Sequence, residues 1–281
     1  LNKINRMIKK QVKYVVLLVF GGITLFPLIY IFFASFKTNA EILTSRSMLP
    51  KVWVIDNYIQ AWNLANFRLY TWNSIYYAFF IVVGSIITTI TLAYVLERGE
   101  FVGKRVVSIL FISTMFISLG SISLYPQYQV AKFLNVHTSL AGAIMIRVFA
   151  INVTQVFVAR SFISTIPREI DEAAKMDGCS FIRIYTSVIF PLLKPLIATV
   201  GLLSFRFAWN DYMLPLVFTL SQPDNAPLVV GVVNLRNTGE AASSWNLMLA
   251  GTMIAVIPMI LVYLFLNRFF IQGLTSGSVK G

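Results

Sequence analysis

Residues 75–96 read Ile-Tyr-Tyr-Ala-Phe-Phe-Ile-Val-Val-Gly-Ser-Ile-Ile-Thr-Thr-Ile-Thr-Leu-Ala-Tyr-Val-Leu, a run without one charged side chain. A hydrocarbon layer roughly 30 Å thick is crossed by about 20 mostly apolar helical residues, so this run is long enough to span it. Five further stretches qualify: Tyr14–Phe36, Val106–Tyr125, Leu140–Ala159, Leu192–Ala208 and Leu247–Phe270. The expected fold class is therefore all-α, a polytopic membrane protein with six transmembrane helices and both ends on one side.

Composition agrees. Of 281 residues, 57% are hydrophobic, 14% aromatic and only 12% charged, about half the charge of an ordinary soluble domain. Such a chain is no cytosolic enzyme, disordered tail or fibrous rod, and with Cys179 as its single cysteine it is no disulfide-stapled secreted domain. Leu1 is not Met, so a trimmed or processed start is expected. Tyr14–Phe36 is too long for a removable signal peptide, and Pro27 within it is placed to kink it.

The net charge of +12 raises the question of nucleic acid, and the positions of the cations answer it. Fourteen Lys and Arg lie in the N-terminus, the second and fourth loops and the C-terminus, against six in the alternate segments. That asymmetry sets the N- and C-termini in the cytoplasm. It accounts for the basic excess, so no nucleic-acid partner is expected. On the opposite side, Asp56 is placed to cap a short helix with Tyr58, Ala61, Trp62 and Ala65 on one face, an interfacial anchor. Trp209–Asn246, with Pro215, Pro223 and Pro227, reads as a long exposed loop free to meet a soluble partner.

Several chemistries find no residues. Of the eleven acids only Glu97 and Asp211 come near a span end, which disfavours a carboxylate-coupled secondary transporter or channel, the alternative from another class. His137 is the lone histidine, so neither a metal site nor a Ser–His–Asp arrangement is expected. Gly99–Arg105 falls one residue short of a phosphate-binding loop and lacks its hydroxyl, and no cofactor is expected.

The most informative segment is Ser164-Thr165-Ile166-Pro167-Arg168-Glu169-Ile170-Asp171-Glu172-Ala173-Ala174-Lys175-Met176-Asp177-Gly178. Ser164 or Thr165 can cap, Pro167 suits a first turn, acids crowd the N-terminal end, and Gly178 can stop the helix. Ser180 can cap a second helix running to Pro191. Ile166, Ile170, Ala173 and Ala174 form a narrow face low enough for another protein's groove, and Arg168–Glu172 and Glu172–Lys175 are spaced to pair. Spacing alone fits a self-contained solvated helix equally well.

Glu172-Ala173-Ala174, three residues, Gly178, nine residues, Val188, one residue, Phe190-Pro191 resembles the E-A-A-x(3)-G-x(9)-I-x-L-P loop of ABC-importer permeases, with Val188 for Ile and Phe190 for Leu. Phe207–Leu216 is similar to the outer end of the fifth span in carbohydrate permeases, and Gln272–Gly281 to the tail of the maltose-type G subunit. The resemblance covers essentially the whole chain. It implies a cytoplasmic N-terminus (1–13), a six-span domain (14–270) containing a coupling loop (164–191), and a cytoplasmic tail (271–281). Glu172, Ala173, Ala174, Met176, Gly178 and Pro191 would then meet a cytoplasmic ATPase subunit, and Gly273, Thr275, Gly277 and Lys280 would reach the interface of the ATPase pair. A homologous second permease, two ATPase subunits, an extracytoplasmic solute-binding protein, an oligosaccharide and the lipid of a bacterial cell membrane are the implied partners. The chain itself would be no enzyme.

Polar residues inside the spans remain. Arg147, Ile151, Thr154, Gln155 and Val158 share one face of a continuous fourth span, with Asn152 nearby, and Arg206 lies in the outer half of the fifth. With Trp209 and Asn210 they form a candidate substrate pathway, the guanidinium forks suiting an acidic saccharide. Interhelical hydrogen bonding or snorkelling accounts for the same residues without a substrate.

Overall fold

A computed structural model of the chain describes residues 2–64, 66–117, 120–235 and 244–275, and among these every regular element is helical. Three helices are long and apolar enough to cross a membrane: Lys10–Ala34, Phe67–Arg98 and Trp245–Phe265. Two bent pairs qualify as well if each is counted as one span: Leu140–Phe149 with Val153–Ile163, and Phe181–Leu192 with Lys194–Trp209. The chain divides into one compact unit of Leu1–Phe67 with Gly231–Val256, and a second of Arg68–Val230 with Ile257–Gly281.

In the first unit, α1 (Asn2–Ala34) runs through Pro27 without interruption. From Tyr14 on it is apolar and mostly exposed, with Leu18 75% and Phe20 67% accessible, as a helix made for lipid or a partner is. A short α2 (Asn39–Thr44) is capped by the Thr38 hydroxyl, which accepts from Glu41 N at 3.2 Å. In α3 (Asp56–Leu64) Asp56 is the first-turn acid of the helix. The expected face holds in part: Ala61 is buried and Trp62 stacks on Phe67 at 5.5 Å, while Ala65 lies outside the described residues. Asn57 fixes this helix by donating to Ser35 O and Lys37 O, both at 2.9 Å, and by accepting from Asn246 at 2.8 Å.

The second unit is organised on α4 (Phe67–Arg98), which contains the whole expected second span. Expected span Val106–Tyr125 does not form one helix. It is split into α5 (Lys104–Ser113), two 3₁₀ turns around Gly120, and α6 (Leu124–Phe133). Ser113, Thr114, Gly120, Ser121 and Ser123 dilute its apolar run with residues that favour turns, and Gly120 takes a φ of +50°.

The expected fourth span likewise breaks, bending by 48° between α7 (Leu140–Phe149) and α8 (Val153–Ile163). Asn152 ends the continuity because its side chain accepts from Gln155 N at 3.1 Å, which makes it the cap of a new helix. Close approach of α4 to α7 depends on Gly84, where an added Cβ would stand 2.5 Å from the Val148 side chain.

After α9 (Arg168–Met176), a single helical turn α10 (Phe181–Arg183) leads into a π-helical stretch, Ile184–Ile189, then α11 (Phe190–Leu192) and α12 (Lys194–Trp209), across an 80° bend. Pro191 and Pro195 cannot donate to the carbonyls four residues back, which is why the ladder widens and then breaks here.

Trp209–Asn246, expected to be a long exposed loop, is mostly folded among its described residues, 236–243 lying outside them. It contains α13 (Met213–Thr219) and α14 (Leu228–Asn234), with Leu214, Phe218, Ala226 and Leu228 buried. Asn73 holds it by donating to Asp224 O at 2.7 Å and Ala226 O at 3.0 Å, and Leu220–Asn225 is the longest exposed run among its described residues. The last helix, α15 (Trp245–Thr275), carries the expected sixth span and continues beyond it, so Gly273 and Thr275 are helical. Gly277 and Lys280 lie outside the described residues.

Candidate functional site

Two clusters stand out in the second unit. At the first, α9 ends as the sequence required: Gly178 takes φ +77°, Cys179 N donates to Ala174 O at 3.0 Å, and Gly178 N to Lys175 O at 2.9 Å. These paired bonds satisfy the last carbonyls and stop the helix rigidly. Its start differs from expectation. Ser164 and Thr165 bond back to Ser161 O and Phe162 O, leaving Pro167 at the cap position without a side-chain bond. Ser180 does cap the following turn, accepting from Arg183 N at 3.4 Å.

The alanine pair is divided between two faces. Ala174 is buried in a core with Ile90, Val156, Ile163, Ile184 and Ile189, and Ile166 and Ile170 pack against that core. Ala173 lies on the open side with Glu169, Glu172 and Met176, the last 89% exposed. The outward stripe is thus Glu169, Glu172, Ala173 and Met176, at i, i+3, i+4 and i+7. Pro191 is exposed as well. Neither Arg168–Glu172 nor Glu172–Lys175 closes; the ion pairs among the described residues are Arg98–Asp171, Arg147–Asp211 and Arg160–Glu97.

Arg98 and Asp171 were invisible as partners in the sequence. Arg98, the last residue of α4, donates through Nη2 to Ile163 O at 3.3 Å and to Ile166 O at 2.5 Å, the carbonyls left over where α8 ends. Its Nε lies 3.4 Å from Asp171 Oδ2 without hydrogen-bond alignment, and both atoms are buried without another partner. Tyr94 OH donates to Asp171 Oδ1 at 3.3 Å. Beside them is a cavity of about 120 Å³ rimmed by Glu100, Arg168, Glu172 and Lys175. Next door, Arg160 Nε donates to Glu97 at 2.8 Å.

At the second cluster, Arg147 of α7 holds Asp211 in a two-pronged pair, Nε to Oδ2 at 2.6 Å and Nη2 to Oδ1 at 2.8 Å. Tyr77 OH of α4 donates to the same carboxylate at 2.7 Å, and the Phe207 ring lies 5.0 Å from the guanidinium. Gln155 accepts from Ser204 at 3.2 Å across α8 and α12. Arg147, Asn152, Gln155, Ser204 and Phe207 line a cavity of about 80 Å³.

Of the expected pathway residues, Arg147, Asn152 and Gln155 therefore come together, though around a break and not on one helix face. Arg206 is exposed and lines a different groove, with Leu202, Met259, Ile260 and Tyr263. Trp209 is buried and stacks on Phe205 at 5.4 Å, and Asn210 bonds back to Arg206 O at 2.8 Å. The Arg147 fork is filled by Asp211, so its charge is already matched inside the chain.

Apolar helices of spanning length that break around paired polar residues fit a membrane protein whose interior is polar where the helices break. Residues 90–276 match the family described as the binding-protein-dependent transport system inner membrane component, and the chain belongs to that family. It is 33% identical over 258 residues to the melibiose/raffinose/stachyose import permease protein MelC of Bacillus subtilis, covering 91% of each chain. It is 31% identical over 271 residues to the inner membrane ABC transporter permease protein YcjP of Escherichia coli, covering 95% of each. Among solved structures it matches, with a TM-score of 0.79 and 28% identity over 95% of this chain and 98% of the other, a bacterial ABC transporter involved in the import of the acidic polysaccharide alginate. The expected permease class is therefore met, and nothing in these likenesses favours a secondary transporter or channel.

Proposed function

We propose that this chain is one of two homologous permeases forming the translocation pathway of an ATP-binding-cassette importer for an oligosaccharide in a bacterial cell membrane. ATP is hydrolysed by two separate cytoplasmic subunits, and an extracytoplasmic solute-binding protein delivers the sugar. The observation that carries this reading is α9: nine residues, stopped by Gly178, docked through Ala174 on the chain's own core, with Glu172, Ala173 and Met176 left facing outward. A helix so supported passes on a push without bending.

In this reading the six crossings are α1, α4, the interrupted α5–α6 segment, the α7–α8 pair, the α10–α12 pair and α15. Both termini are cytoplasmic by the distribution of Lys and Arg. The end of α15 with Gly273 and Thr275, and the tail with Gly277 and Lys280, reach the ATPases. Arg206 and Asn210, both exposed, and the cavity at Asn152 and Gln155 supply the pathway's polar surface, with Trp209 behind it and Arg147 spoken for by Asp211. Import of melibiose, raffinose and stachyose by one relative and of the acidic polysaccharide alginate by another supports a saccharide cargo.

The test is reconstitution of the chain with its second permease, ATPase and binding protein in proteoliposomes. ATP-dependent uptake of a candidate oligosaccharide that vanishes on omission of the ATPase is expected. Uptake by the purified chain alone would overturn the proposal.

A further inference from the structure

The family reading sends the motion of α9 along the chain, through Gly178 into α12. The structure contains a second connection that the sequence motif does not include. Arg98, at the end of α4, sits in the joint between α8 and α9: it donates to two carbonyls at and just past the end of α8, Ile163 O and Ile166 O, and faces Asp171 in the first turn of α9. Tyr94, one turn earlier on α4, reaches the other oxygen of the same carboxylate. Asp171 faces inward, away from the outward stripe of Glu169, Glu172, Ala173 and Met176. We propose that Arg98, with Asp171 and Tyr94, is a positioning node that couples α4 directly to the coupling helix, so that displacement of α9 moves α4 as well as α12; this rests on the coupling role assigned to α9 above.

Three features argue for a transmitting node and against a mere loop tie. First, the side chains of Arg98 and Asp171 are only 6% and 11% accessible, so neither charge is relaxed by bulk water. Second, the Nε–Oδ2 contact at 3.4 Å is unaligned, with both atoms lacking a hydrogen bond while buried. A buried donor and acceptor held just out of register are costly as they stand and gain a full bond from a small approach. Third, the cavity of about 120 Å³ between the end of α4 and α9 gives that approach room. A push on the outward face of α9 toward its support closes the pair and drives the end of α4.

The experiment uses the complete importer in a background with Cys179 replaced by Ser. Single cysteines are placed at Glu100, just past the end of α4, and at Leu192, at the end of α11 on the way into α12, both exposed, and their labelling by an impermeant maleimide is read with and without vanadate-trapped Mg-ATP. In the otherwise native complex both rates are expected to shift. In Asp171→Asn the shift at position 100 is expected to be lost while that at 192 survives. Arg98→Lys, which keeps the charge and loses the fork, is expected to behave the same way, and it decides the matter if Asp171→Asn fails to assemble. Persistence of both shifts in the variant that assembles, or equal loss of both, overturns the node. Absence of any shift in the native complex would instead overturn the coupling role of α9 itself.

Discussion

The chain builds the same trio of side chains twice, tyrosine, aspartate and arginine, and both tyrosines come from α4. At Tyr77, Asp211 and Arg147 every contact is short and aligned, from 2.6 to 2.8 Å. At Tyr94, Asp171 and Arg98 the contacts to the carboxylate are 3.3 and 3.4 Å, and two buried atoms are left unpaired. Identical chemistry made tight in one place and slack in another separates what is fixed from what is meant to give. The closed trio locks α4, α7 and the chain just beyond α12 into one body. The slack one lies where an external subunit would press.

The largest effect is expected from opening the closed trio. Asp211→Ala leaves Arg147 buried and unmatched, a loss of about 3–5 kcal/mol, seen as a collapse in the yield and melting temperature of the purified complex. Tyr77→Phe should follow at about 1.5–3 kcal/mol, because a hydrogen bond to a charged acceptor is removed from a buried site. Gly178→Ala forces an L side chain into the left-handed region at a cost of about 1–2 kcal/mol; ATP hydrolysis measured against uptake should show it as uncoupling at near-normal assembly. Asp171→Ala should cost only about 1 kcal/mol in thermal stability, since Arg98 keeps its two carbonyls. Tyr94→Phe is the smallest, below about 0.5 kcal/mol. Equal losses for Asp211→Ala and Asp171→Ala would erase the distinction between the two trios.

How far the sequence carried the reading depends on the kind of residue. Long uncharged runs such as 75–96 announce helices by composition alone, and α4 and α15 lie where they were expected. Gly178 was legible because a helix stop needs one residue type in one conformation. The breaks were harder. Asn152 looked like a polar residue on a face, and only as a cap does it end one helix and begin another. Ala173 and Ala174 looked like one surface because neighbours in sequence point about 100° apart around a helix, and nothing local says which of them meets the core. The trios join residues 64, 73, 77 and 134 positions apart, so no local pattern holds them. The only hint was that Asp211 is an acid at the margin of an apolar run, where an unmatched charge is expensive.

The widened stretch Ile184–Ile189 gives the scaffold a gearing that lengths and angles alone do not. Drawing one residue out of it, to restore the ordinary winding, would turn everything downstream by about 100° about the helix axis. Ser204 would then swing away from Gln155, and the wall they share would present different groups to whatever passes. A linear nudge at one end of the chain would emerge as rotation at the other.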